Sequence, residues 1–106
     1  MKVFEINQDP SVEDIARMLK HEFSDNNSYS YFGIGENKSV VVRKSEFVGA
    51  QISRSGNRIT VYAMSPNLLL SSIDILLSGL IGAVNYSSLI KLEKDLVIFL
   101  KSKYSI

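Results

Sequence analysis

Residues 67–86, NLLLSSIDILLSGLIGAVNY, constrain this chain more than any other stretch. From Leu68 to Val84 the run covers 17 residues, short of the roughly 20 that cross a bilayer core. At about 100° per residue the apolar positions gather on one arc. Leu69, Leu70, Ile73, Leu76, Leu77, Leu80, Ile81 and Val84 form it. Ser71, Asp74, Ser78 and Gly82 line the opposite side, with Ile75 beside them. A lipid-facing helix is apolar all round, and an unpartnered Asp74 near its middle would cost about 3 kcal/mol. Basic anchors are absent from both flanks and from the polar face, which disfavours a spanning helix and an interfacial one alike. The pattern predicts a helix over about 67–84 with its leucine face on a core. Its second face is small, nearly uncharged and poorly suited to water. The covering element is either the last helix of the same chain or a second subunit.

That last helix is predicted over about 88–103, where Leu89, Leu92, Leu96, Phe99 and Leu100 make an apolar stripe. Lys91, Lys94, Asp95, Lys101 and Ser102 make the wet side, and Ile98 interrupts it. The short link between the two helices suits an antiparallel helical hairpin.

An N-terminal helix is expected over about 11–24. Ser11 stands three residues before Asp14, the spacing of a capping box with Asp in place of Glu. Val12, Ile15, Ala16, Leu19 and Phe23 then recur on one face, with Glu13, Arg17, Lys20 and His21 on the other. Between the helices the chain is β-rich. MKVFEIN alternates weakly, SYSYFGIG loosely, and KSVVVRK is β-branched. Val48, Ala50 and Ile52 on one arm and Ile59, Val61 and Ala63 on the next read as a hairpin, turned at Ser55-Gly56-Asn57. The expected fold is α+β in a single domain, 1–106: an antiparallel sheet of about four strands with helices on one face. Tyr29, Tyr31, Thr60 and Tyr62 are expected on the other face.

Candidate chemistry is sparse. The sequence has no cysteine and one histidine, so thiolate chemistry and a histidine-based metal site within one chain are not expected. His21 reads as a surface residue, since a general base needs a positioned partner. Glu13 and Asp14 are explained by the helix start. GIGENKS resembles a phosphate loop only superficially, because a strand rather than a helix follows it. No cofactor or metal is therefore expected, and no catalytic residues are assigned.

Charge is uneven: −4 over residues 1–37, +4 over 38–66 and +1 over the remainder. Arg43, Lys44, Arg54 and Arg58 are candidates for an anion-binding surface. Arg54 and Arg58, however, flank a tight turn, where charge serves solubility. The residues before the first acids carry no secretory signal, which leads to the expectation of a cytoplasmic protein. The leading functional expectation is a non-enzymatic interaction or regulatory domain that self-associates through its C-terminal helices. Ser71, Asp74, Ile75, Ser78, Gly82 and Ile98 are its candidate contacts. A carrier of an apolar or lipid-like ligand and a nucleic-acid binder are the alternatives.

Overall fold

A computed structural model describes residues 1–23, 27–35, 38–45, 48–64 and 86–105. Strand β1 (Lys2–Glu5) is followed by α1 (Val12–Met18), which continues as a π-helical turn through Leu19–Phe23. Strands β2 (Ser28–Phe32), β3 (Ser39–Arg43), β4 (Gly49–Ser55) and β5 (Arg58–Met64) follow, and helix α2 (Tyr86–Tyr104) comes last. The predicted 67–84 helix, with Ser71, Asp74, Ile75, Ser78 and Gly82, lies outside the described residues. The helix expected over 88–103 is present as α2.

The sheet is antiparallel throughout and has five strands, ordered β1-β5-β4-β3-β2. The expectation was about four; every segment that reads as a strand, the weakly alternating MKVFEIN included, is paired in the sheet. Pairing with β5 makes MKVFEIN a strand: Phe4 stands opposite Ile59 and Glu5 opposite Arg58. The β4–β5 hairpin closes on Gly56 and Asn57, with Ser55 opposite Arg58. Gly56 has φ +59°, and no non-glycine residue among those described has positive φ. A positive φ at the first central residue only is the type II′ arrangement, whose twist matches that of the flanking strands.

Helix α1 starts as its sequence predicts. The Asp14 N–H donates to Ser11 Oγ at 3.0 Å, and the Ser11 N–H donates to Asp14 Oδ2 at 3.1 Å. Two otherwise orphaned backbone donors are satisfied by this exchange. The α1 stripe then lays Ile15, Ala16 and Leu19 into the core, while Leu92, Leu96, Leu100 and Tyr104 enter it from α2 at four-residue spacing. These meet one face of the sheet, built from Phe4, Val40, Val42, Ala50, Ile52, Ile59 and Val61. Helix α1 packs on the β3 side, and α2 packs over β5, β4 and β1. Each fully buried aliphatic side chain in this layer contributes about 1.5–3 kcal/mol relative to exposure.

Cross-strand register corrects one expectation. Tyr29 stands opposite Val42 and Tyr31 opposite Val40, so both tyrosines share the helix-covered side, because paired residues lie on the same face. The Tyr29 hydroxyl donates to the Leu19 carbonyl at 3.3 Å. Thr60 and Tyr62 do lie on the other face, opposite Ser53 and Gln51. Phe32 joins them there, opposite Ser39.

The two ends of the chain are clamped together. The Asn7 N–H donates to the Tyr104 carbonyl at 3.0 Å, and Gln8 Nε2 donates to the Lys103 carbonyl at 3.0 Å. The segment after β1 thus satisfies carbonyls that the end of α2 leaves unpaired. Arg54 Nη1 donates to the Pro10 carbonyl at 2.7 Å, and Nη2 pairs with Asp9, tying the same segment to the end of β4.

Candidate functional site

The four candidate anion-binding cations occupy two separate regions. Arg43 ends β3 opposite Gly49, where β4 begins, and Lys44 follows it. Arg54 and Arg58 lie at the other end of β4, around the hairpin turn. Gly49 and Ser55 are the two ends of the seven-residue strand β4, roughly 20 Å apart at the rise of an extended chain. The two ends also differ in how their charges are used. Arg54 lies on the helix side, engaged by Asp9 and Pro10. Arg58 lies on the opposite face, across from Glu5. Lys38, a fifth cation of the basic stretch, pairs with Glu13 and stands 4.3 Å from the centre of the Tyr31 ring. Its hydrogen bond holds the Glu13 carboxyl below the usual carboxylate range and raises the lysine in return.

A hollow of about 580 Å³ opens between α1 and the end of α2. Asp9, Asp14, Arg17, His21, Glu22 and Tyr104 are among its lining residues. Its carboxylates are already engaged: Asp14 with Ser11 and Arg17, Glu22 with Lys103, and Asp9 with Arg54. His21 is exposed at its rim, which agrees with its reading as a surface residue. Tyr104 is buried, and its hydroxyl oxygen is sealed from solvent without a hydrogen-bond partner among the described residues. Burial first, and then the charges of Asp14 and Glu22, push this hydroxyl above the ordinary tyrosine range. Among the described residues no group of three acidic or histidine side chains could hold a metal ion, and no helix is long and apolar enough to cross a membrane.

What the described surface does offer is apolar. Ile98 is 58% exposed on α2, and Ile90 is exposed on the same helix. A second group lies at the end of β2, where Phe32 and Ile34 were not singled out from sequence. Tyr31 and Phe32 are each 48% exposed at the end of β2, and Ile34 in the turn beyond is 89% exposed. Val3 and Tyr62 form a third, on the face away from the helices. The only sequence signal for the β2 group was the lack of charge from Asn27 to Gly35, which becomes informative once β2 is placed at the edge. No family model, no curated protein and no solved structure matches this chain.

Proposed function

We propose that this chain is a small non-enzymatic interaction domain that self-associates. One observation carries the reading: among the described residues, large apolar side chains stand exposed outside the buried core. The core residues Leu96, Leu100, Val40, Val42, Ile59 and Val61 are fully buried, while Ile90, Ile98, Tyr31, Phe32 and Ile34 remain exposed. Single exposed apolar residues are ordinary, but groups of them on one element mark contact surfaces. Helix α2 offers one such surface through Ile90 and Ile98; of the C-terminal helical contact expected from sequence, Ile98 is the described residue. The rim of β2 offers another. With a net charge of +1, two copies meet little long-range repulsion.

The test is native mass spectrometry on protein purified without detergent, backed by sedimentation at several concentrations. A concentration-dependent dimer of bare chains is expected. A species that stays monomeric throughout the micromolar range would refute the proposal, and added mass on the chain would point to a bound ligand instead.

A further inference from the structure

We infer that the hollow between α1 and the end of α2 is a binding site whose ligand is a small organic cation, an ammonium group on a compact apolar body. This goes beyond the self-association reading and does not depend on it. At about 580 Å³ the hollow has the size of a small-molecule site. Its walls are fixed by the fold. Asp14, Arg17, Met18, His21 and Glu22 come from one face of α1 and its π-helical turn, at the three- and four-residue spacing that stacks side chains. Single π-helical turns recur at functional sites. Residues 8–10 form a second wall, held by the bond from Gln8 to the Lys103 carbonyl and by that from Arg54 to the Pro10 carbonyl. Tyr104, at the end of α2, completes the lining.

Tyr104 points to an occupant. It is 5% exposed, and its hydroxyl has no hydrogen-bond partner among the described residues. A buried polar group left in this way costs stability and calls for a reason. The charges that act on this hydroxyl are Asp14 and Glu22, and both line the same hollow, which places the oxygen toward it. Charge then selects the ligand. Three carboxylates, Asp9, Asp14 and Glu22, line the hollow against one guanidinium, Arg17. Arg54 and Lys103, which engage Asp9 and Glu22, are not in the lining. Glu22 meets Lys103 through Oε1, and a carboxylate offers about four acceptor positions, so lone pairs remain for a ligand N–H. The field that opposes tyrosinate at Tyr104 favours a cation beside it. A bare metal ion fits poorly, since no group of three acidic or histidine side chains could hold one among the described residues. Pro10, Met18 and the Tyr104 ring supply contact for an apolar body. The hydroxyl oxygen is closed to solvent, so binding includes a shift of lining side chains, of which Met18 is the most adaptable.

An NMR titration of the full chain with benzylammonium, benzyl alcohol and benzoate tests this, because the three probes share a ring and differ in charge. Benzylammonium should give saturable shifts of the amides of residues 17–22 and 104 and of the Met18 methyl. Benzyl alcohol should bind about ten-fold more weakly, and benzoate more weakly again. Equal binding of the alcohol, or tighter binding of benzoate, would overturn the cation. No saturable shift with millimolar benzylammonium would overturn the site. Tyr104→Phe should weaken benzylammonium by about ten-fold, the worth of a hydrogen bond to a charged group. Tyr62→Phe, on the sheet face away from the helices, should bind like the unaltered chain. Circular dichroism verifies that the variants fold; should Tyr104→Phe fail to, Glu22→Gln replaces it with the same loss expected. Unchanged affinity in the variant used would refute the proposal.

Discussion

Removing a single oxygen atom, the hydroxyl of Tyr104, should stabilise this fold. Tyrosine-to-phenylalanine changes in a core usually cost stability because a hydrogen bond is lost. Here the ring is packed among Leu100 and its neighbours in the core, but the hydroxyl is sealed from solvent and has no hydrogen-bond partner among the described residues. In the unfolded chain the same group is hydrated. Burying a hydroxyl without compensation costs about 1–3 kcal/mol by protein mutational data. Tyr104→Phe keeps the ring and removes that cost, so a gain of about 1 kcal/mol is expected at neutral pH. For a domain of this size it corresponds to a rise in Tm of roughly 4–8 °C. Urea unfolding should show a higher midpoint at an unchanged slope.

The pH dependence supplies an independent check. The hydroxyl of folded Tyr104 ionises above the ordinary tyrosine range, because burial and the nearby Asp14 and Glu22 oppose tyrosinate. Unfolded tyrosine ionises near pH 10. Above that value the unfolded state holds fewer protons than the folded one, so stability falls as pH rises. Tyr104→Phe removes this contribution, and its advantage over the unaltered chain should therefore widen above about pH 10. Loss of about 1 kcal/mol or more at neutral pH would refute the reasoning, since it would mean that the hydroxyl is satisfied in the folded protein.

Two further outcomes follow from the same packing. Leu96→Ala should cost about 2–5 kcal/mol in urea unfolding, through lost burial and the cavity left between α2 and the sheet; Ile98→Ala, two residues away on the exposed side, should stay within about 0.5 kcal/mol. Ser11→Ala should cost about 1 kcal/mol by removing the acceptor for the Asp14 N–H. The Asp14 and Glu13 carboxyls ionise below their ordinary values, Asp14 chiefly because the Ser11 N–H donates to it and Glu13 chiefly because Lys38 does. The unfolded chain therefore binds more protons in acid, and stability should fall as pH drops below the ordinary carboxylate range. An NMR titration that finds Asp14 at or above an ordinary aspartate value would contradict the capping geometry.

Local patterns are what the sequence carried well. The Ser11–Asp14 exchange, the α1 stripe, the Gly56 turn and the four-residue spacing of Leu92, Leu96 and Leu100 all concern neighbours a few residues apart. Backbone geometry alone places such neighbours together. Single-residue exposure was legible for the same reason at Ile98 and His21, which sit off the apolar faces of their helices.

Pairing between distant strands was what only the tertiary structure decided. MKVFEIN is barely strand-like until β5 completes its hydrogen bonds, and SYSYF can turn either face inward until its register with β3 is fixed. A shift of one residue reverses every side chain in a strand, so Tyr29 and Tyr31 could not be assigned a face from alternation alone. The same holds for the cations: Arg43 and Arg54 are close in sequence, yet an extended strand carries them to opposite ends of the sheet. Whether a strand lies at an edge is a property of the whole strand order. The exposure of Tyr31 and Phe32 on β2 therefore followed only from the structure, in which that strand ends the order among the described residues.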